Sequence, residues 1–440
     1  MYKRGRMKIL ILDGSLAGDR IGSFSAATLQ AEIAKRGWLS EVVVLREKKI
    51  GNCMGDFLCW FKSPGKCHVA DDQLEISRKY LASDLVIFLS PITFGGYSPT
   101  LKKMVDHMIQ NTLPFFATHS GEIHHQQRYE SYPDVLTIGW QREPNEQAAS
   151  VFRHLAWRNS INFYAKVHAC GILYENQADR DMEARLHRLL DQIERHESDA
   201  EATLPVINRS SAAPTSLRRA LLLVGSPRIE KSTSSSLGSY FFEQLKKHGV
   251  ESETISIYKA INTTERMEAL RQAIAAADLV VLAFPLYVDT LPAPVISVLQ
   301  DVVSHGTSKT KPTRFAAIVN CGFPNASQNA SAIAVCAEFA REAQFEWMGG
   351  LSLGAGEGMV HAKPLAELGG QGAPLRKALE IAAGELAQGQ PVSDNALQLL
   401  AKPLMPEWMY RLGGTIGWKM RARKFGTQKL LKARPYQQAL

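Results

Sequence analysis

The chain has 440 residues, 45% hydrophobic and 21% charged, which reads as a soluble globular protein able to bury two ordinary cores of roughly 150–200 residues each. Its longest apolar runs, such as 279–285, fall far short of the ~18 residues of a membrane span, and the apolar stretch 9–12 after the basic start is too short for a signal-peptide core. Six cysteines without a secretory segment point to a reducing, cytoplasmic setting, and the net charge of +8 is confined to 401–440, where nine basic residues face Glu407 alone, so the body offers no surface for nucleic acid.

In chain order, Lys8–Asp13 reads as an apolar strand running into Gly14-Ser15 and a polar loop. A helix over 26–36 ended by Gly37 and a short strand over 41–45 follow. Residues 46–70, which hold Cys53, Cys59 and Cys67, read as an insertion before a helix over 71–81. Leu85–Phe88 then reads as a buried parallel strand, broken by Ser90-Pro91 into a loop holding Gly95-Gly96. The next helix starts at Ser98 or Pro99, with Leu101, Met104, Val105 and Met108 on one face. A strand over 135–139, a helix over 147–158, a strand over 165–172 and a helix over 181–196 close the first unit.

Residues 208–217, NRSSAAPTSL, are small, polar and Pro-containing, as in a linker. The pattern then restarts with a strand over 219–224, Gly225-Ser226 and a Ser/Thr-rich loop, and a helix to Lys247. Strands over 253–257, 279–283, 315–320 and 349–354 alternate with helices over 264–276, 294–303, 330–341 and 375–386. The repetition is visible in single stretches: ASDLVIFLSPITFGGYSPTLKKMVD is echoed by ADLVVLAFPLYVDTLPAPVISVLQD, each with an Asp before the strand and a Pro at 91 or 285. Parallel strands need crossover helices, so the expected fold class is α/β. It comprises two tandem three-layer sandwiches with five-stranded parallel sheets, at 1–207 and 218–400, and a basic amphipathic tail at 401–440. Ligands of such sheets sit beyond the carboxyl ends of the strands, at the switch point between the first and third strands.

The conspicuous loops lie at those ends. Gly14-Ser15 with Ser23 and Ser25, and Gly225-Ser226-Pro227-Arg228 with Ser232, Thr233 and Ser234, place hydroxyls and free N–H groups at a helix N-terminus, which suits a phosphate. Neither a GxGxxG nor a GxxxxGK[ST] pattern is present. The loops after the third strands are Pro91, Ile92, Thr93, Phe94, Gly95, Gly96 and Tyr97 in one unit, and Pro285, Leu286, Tyr287 and onward to Pro292 in the other. They can lay amides against a flat ring edge, with Phe94, Tyr97 or Tyr287 on a face. One ligand with a phosphate and a planar ring accounts for both loops.

These motifs, GS after the first strand, SPITFGGYSPTLKKMVD, GSPRIEKSTSSSL and FPLYVDTLPAP, resemble those of the flavodoxin-like NAD(P)H-dependent FMN and quinone reductases over nearly all of both units. The resemblance implies two flavodoxin-like domains fused in tandem, FMN and NAD(P)H as cofactors, and hydride transfer through FMN to a quinone, nitro or azo compound, metal ion or flavin. It implies phosphate contacts at Ser15, Ser23 and Ser25 and ring contacts at Pro91–Gly96, with Gly139, Trp140 and Gln141 beside the ring. Their counterparts are Ser226, Arg228, Ser232–Ser234, Pro285–Val288 and Cys321-Gly322. The first loop lacks the Pro-Arg pair and carries Asp19, and Val288-Asp289 stands in the second ring loop; FMN is expected at the first domain, with the second left open. No protein acid–base residue is assigned a catalytic role, because the cofactor carries the redox chemistry.

The segment with Cys53, Cys59 and Cys67 resembles a C-x-G-C-x-x-C stretch that carries a cluster in iron–sulfur relatives, but position 56 is Asp; structural or mildly redox-active thiols are expected, with zinc held by these thiols and His68 as the other reading. GEIHHQQRY offers His124, His125 and Arg128 either to an acidic acceptor or nicotinamide phosphate, or to a surface loop. In the tail, Gly413-Gly414 and Gly417 are expected to interrupt a helix that either packs on protein or meets an anionic membrane. Partners expected are a small-molecule acceptor and a second copy in a homodimer. A different functional reading is an electron-transfer flavodoxin, or a flavin protein in which one domain serves only as an interaction module.

Overall fold

The apolar runs become strands β1 (Lys8–Asp13), β2 (Leu39–Val44), β3 (Leu85–Pro91), β4 (Thr112–His119), β5 (Glu122–Gln127), β6 (Asp134–Gln141) and β7 (His168–Tyr174). The second half adds β8 (Arg219–Val224), β9 (Glu251–Ser256), β10 (Leu279–Pro285), β11 (Arg314–Asn320) and β12 (Glu346–Leu353). This is a computed structural model that describes residues 6–211, 215–306 and 312–437; residues 212–214 of the expected linker and 438–440 of the expected tail lie outside them. The chain divides into a first unit of Met1–Cys53, Phe57–Pro205 and Gly413–Leu440 and a second of Met54–Asp56 and Val206–Leu412.

In the first unit the sheet order is β2-β1-β3-β6-β7, in the second β9-β8-β10-β11-β12, and every pairing within them is parallel. Each is the doubly wound flavodoxin-like order, in which the chain reverses direction between the first and third strands. The tandem α/β fold expected from the sequence is the fold observed. Central strands are buried on both faces, as Leu85–Ser90 of β3 and 279–284 of β10 are, which is why they read as unbroken apolar runs. The edge strands β2 and β9 are partly exposed, and β9 is largely polar. In the first core Leu29, Ile33, Leu186 and Leu190 pack on Ile9, Ile11 and Ile87; in the second Leu237, Phe241 and Leu379 pack on Leu222 and Val281.

Three local expectations are corrected. The first helix runs Arg20–Lys35, six residues ahead of the expected start, because Asp19 caps it by accepting from the Gly22 N–H. Residues expected as a loop around GEIHHQQRY form the antiparallel hairpin β4–β5. The tail helix Glu407–Arg423 runs unbroken through Gly413, Gly414 and Gly417. At Gly414 a Cβ would fall 2.9 Å from the Phe116 ring; close packing there offsets the low helix propensity of glycine. A further helix, Asp394–Ala401, buries Ala396 and Leu400 in the second core.

Candidate functional site

Both switch points are built the same way. In the first unit the Gly14 N–H donates to Leu89 O at 2.8 Å, and the Ser98 hydroxyl donates to Gly14 O at 2.7 Å. A Cβ at Gly14 would lie 2.5 Å from Leu101 Cβ, so the turn after β1 tolerates no side chain. In the second unit the Gly225 N–H donates to Ala283 O, and a Cβ at Gly225 would meet Val295 and Phe284.

The phosphate-type loops differ in the charge they present. In the first, the Asp19 carboxylate accepts from the Gly22 N–H at 3.1 Å and from the Trp140 indole N–H at 2.9 Å. The anion favoured at that helix N-terminus is therefore one of the chain's own. Ser15 Oγ accepts from Arg46 at 2.9 Å, Ser23 is exposed and donates to Asp19 O, and Ser25 is buried without a hydrogen-bond partner. Ser15 and Ser23 are thus engaged with residues of their own chain, and Trp140 is tied to the loop through Asp19. The first loop thus presents a resident carboxylate, Asp19, at its helix N-terminus.

The second loop presents hydroxyls at its helix N-terminus instead. Ser226, Ser232, Thr233 and Ser234 are all at most 2% exposed at the start of the helix Thr233–Lys247. Ser232 caps that helix by accepting from the Ser235 N–H at 3.1 Å. Asn320, at the end of β11, donates to Ser234 Oγ at 2.9 Å and to Phe284 O at 3.1 Å, and the Thr233 hydroxyl donates to Gly356 O at 3.3 Å. Gly356 is held so close that a Cβ would fall 3.0 Å from Asn320 Cβ. Over this cluster Arg228 donates both guanidinium arms to Glu357, at 2.9 and 2.5 Å. Glu357 lies in the short helix Gly356–Met359 that follows β12, and nothing in its local sequence marks this role.

The ring-type loops share one turn. Thr93 and Gly96 exchange backbone hydrogen bonds of 2.9 and 2.7 Å, as Tyr287 and Thr290 do at 2.9 and 3.1 Å. The positive-φ pairs are Phe94–Gly95 (φ 53 and 77) and Val288–Asp289 (φ 40 and 63). Gly95, expected to admit a ring, instead faces the helix Glu146–Asn162, where a Cβ would fall 2.7 Å from Val151. Phe94 and Tyr97 are core residues, 2% and 0% exposed. Thr93–Tyr97 are buried, whereas Pro285, Leu286, Tyr287 and Val288 remain partly exposed. The second ring loop is thus the more accessible one, the reverse of the expectation from Val288-Asp289. A β-branched residue at φ 40 is strained backbone, of the kind that clusters at functional sites. Within the same unit Gly55 approaches Tyr287 so closely that a Cβ would lie 1.9 Å from its hydroxyl.

Beside this loop the Cys321 thiol contacts Phe323 O at 3.4 Å, and burial pushes its pKa up to about 12, so it is an inert packing group. The Tyr410 hydroxyl donates to Gly322 O at 2.5 Å. Because Asp19 acts as a cap and not as a ligand, Asp19→Ala lowers stability by about 1 kcal/mol. Urea denaturation reads this as a lower midpoint, and the flavin content of the protein stays unchanged.

The remaining candidates serve the fold of the first unit. Cys59 packs with Trp60 and Phe61 in one apolar cluster, and Cys53 and Cys67 are half-buried. Among the described residues no group of three or more His, Cys, Asp or Glu side chains is arranged to hold a metal ion. Arg128 is 1% exposed and donates to the carbonyls of Gln110, Thr112, Leu431 and Ala433, which leaves it no face for a substrate phosphate. His124 Nδ1 lies 2.9 Å from Asn162 Oδ1, and its Nε2 lies 3.2 Å from the Glu122 carboxylate. His124, then Arg158, hold the Glu122 pKa down to about 2 against burial.

His125 lies between the Trp60 and Phe116 rings, 4.6 and 5.0 Å away, and burial, then His124, lower its pKa to about 3. The unfolded chain takes up this proton near pH 6.5 and the folded chain does not, so stability falls as pH drops from about 6.5 towards 3. Glu122 adds its own loss only below about pH 4.5, as it approaches protonation near 2. His125→Phe accordingly flattens the stability profile between pH 7 and 4.5 while leaving the steeper acid limb, measured as urea midpoint against pH.

A family model described as NADPH-dependent FMN reductase matches residues 7–128, and one described as flavodoxin-like fold matches residues 218–320. The chain is similar to an iron–sulfur flavoprotein of Methanocaldococcus jannaschii, 33% identical over 100 residues that make up 23% of this chain and 51% of that protein. The chain thus spans about half the length of the curated relative it matches. Solved structures similar to it include an NAD(P)H:quinone oxidoreductase from Methanothermobacter marburgensis, at 14% identity over 42% of this chain and 97% of that one, with a TM-score of 0.35. An FMN-dependent NADH-azoreductase from Bacillus anthracis, in complex with FMN, is 15% identical over 39% of this chain and 100% of that one, with a TM-score of 0.31.

Proposed function

From two flavodoxin-like domains in tandem, the first matched as an NADPH-dependent FMN reductase, we propose that the chain is a flavin-dependent NAD(P)H oxidoreductase whose FMN is held by the second domain. The observation that carries the placement is the contrast between the two phosphate-type loops: Asp19 fills the first, and Ser226, Arg228, Ser232, Thr233 and Ser234 line the second. When bound, FMN supplies the chemistry of accepting a hydride from the nicotinamide and passing reducing equivalents to a quinone, nitro or azo compound, metal ion or flavin.

The chain's own residues supply position and charge. Thr233 and Ser234 offer the N–H groups that open their helix, and Arg228 turns from Glu357 to the phosphate, giving a charge-assisted bond. Pro285, Leu286 and Tyr287, partly exposed at the same sheet edge, stand beside the ring. The first domain, with Ser15, Ser23, Ser25, Pro91–Gly96 and Trp140 committed to its own packing, acts as an interaction module. The reading includes a homodimer, in which a second copy roofs the flavin, and a peripheral contact of the basic tail with a membrane.

Following NADPH and NADH oxidation by the FMN-reconstituted protein, with and without menadione, tests the activity. Acceptor-stimulated oxidation supports an oxidoreductase; flavin that is bound but not reduced by either nucleotide would indicate a carrier instead.

A further inference from the structure

The helix Glu407–Arg423 carries apolar residues on two opposite faces. One face, at four-residue spacing, is used inside the first unit. Gly414 lies against Phe116, Trp418 packs on Phe57, Trp60 and Phe61 with ring centroids 5.3–5.6 Å apart, and Ala422 is fully buried. On the opposite face Trp408, Leu412, Ile416 and Met420 repeat the same spacing and are 51–66% exposed. A helix of 3.6 residues per turn places Met409, Lys419 and Arg423 on that same outward arc. Exposed Phe425 and Leu430 continue the apolar character beyond the helix.

The charge around this stripe is one-sided. The last 40 residues carry the whole net charge of +8, and the rest of the chain is neutral. Arg421 is stacked over Phe61 and Trp418, and Arg434 pairs with Glu130. Lys419, Arg423, Lys424, Lys429 and Lys432 are exposed, and no ion pair involves them among the described residues.

We infer that this outward stripe is a docking face for an anionic lipid bilayer, on which the helix lies parallel to the surface. An acidic protein or a polyanion would answer the lysines but leave four large apolar side chains in water. A neutral apolar partner would do the opposite. A bilayer with anionic headgroups answers both, with Trp408, Leu412, Ile416 and Met420 in the interface and the basic residues at headgroup level. Among the described residues no helix is long and apolar enough to cross a membrane, so the contact is peripheral. It gives a face and a lipid chemistry to the tail contact of the proposed function and rests on that reading.

Co-sedimentation of the full chain with phosphatidylcholine vesicles, with and without phosphatidylserine, tests it. Binding is expected only to vesicles that contain phosphatidylserine, and it weakens as salt screens the headgroups. Ile416→Glu combined with Met420→Glu should reduce the bound fraction at least about tenfold, because both positions are solvent-facing and the change places charge in the interface. Unchanged circular dichroism and flavin content show that this variant folds. Failure of the wild type to bind anionic vesicles, or binding untouched by the double substitution, overturns the inference. So does a dimer, seen by light scattering without vesicles, that the same substitution converts to monomer. Flavin content measured on the same samples separates this outcome from failure of the oxidoreductase reading.

Discussion

Alanine in place of Arg228 is expected to weaken FMN binding by about 10–100-fold. A charge-assisted hydrogen bond to a phosphate is worth about 1.5–3 kcal/mol, and each 1.4 kcal/mol is a factor of ten. The substitution also leaves the Glu357 carboxylate, which is 14% exposed, facing the phosphate site without its partner. The reverse change identifies the competition: Glu357→Gln releases Arg228 from the ion pair and should tighten binding severalfold. Titration of the apo-protein with FMN, followed by quenching of flavin fluorescence, measures both. Unchanged affinity in Arg228→Ala would place the flavin elsewhere in the chain.

Arg128→Ala should cost the protein about 3–5 kcal/mol, the range for breaking a buried polar cluster and emptying a large core side chain. Its Nε donates to Gln110 O and Thr112 O, one arm to Leu431 O at 3.1 Å and Ala433 O at 2.7 Å, and the other to Thr112 O at 3.0 Å. The guanidinium thus ties the hairpin β4–β5 to the last turns of the first unit. Around it Pro435 packs against Gly65, where a Cβ would fall 2.6 Å away, and Lys66 lies over the Tyr436 ring. Burial lowers the Arg128 pKa, which shows that the site opposes charge and depends on those carbonyls to hold it. Losing the side chain leaves carbonyls unpaired and frees 413–437 for proteolysis. Arg128→Lys should recover only part of the loss, because a single ammonium cannot reach all four carbonyls. Urea denaturation and limited proteolysis of the two variants check these expectations together.

The parallel strands were legible because central strands are apolar on both faces. Leu85–Phe88 and 279–283 therefore stand out, and the duplicated Asp and Pro mark their ends. The hairpin β4–β5 was not legible. His124 and His125 look polar, yet one is anchored by Asn162 and the other is sandwiched between its strand partner Phe116 and Trp60, which is distant in sequence. The helix through Gly413, Gly414 and Gly417 was hidden for a similar reason, since the proximity that accounts for Gly414 is that of the distant Phe116.

At the sites, Asp19 was visible as a departure from the Pro-Arg pattern, but its role as a resident anion needed Trp140, 121 residues away. Glu357 gave no sign at all, because its meaning lies in the 129-residue separation from Arg228. The positive-φ pairs sit one residue earlier than Gly95-Gly96 suggested. A strained Val288-Asp289 turn adopts the geometry that Phe94-Gly95 adopts with one glycine.

The flavin-to-chain ratio after FMN reconstitution, compared between the wild type and Ser234→Asp, tests the central claim most directly. Ser234→Asp places a carboxylate in the first turn of the second helix, two residues past its cap Ser232, so that a resident anion occupies this helix N-terminus as the Asp19 cap occupies the first. The account predicts one flavin per chain in the wild type and almost none in Ser234→Asp, with circular dichroism unchanged. A wild type that retains no flavin, or a Ser234→Asp protein that retains as much as the wild type, would contradict it.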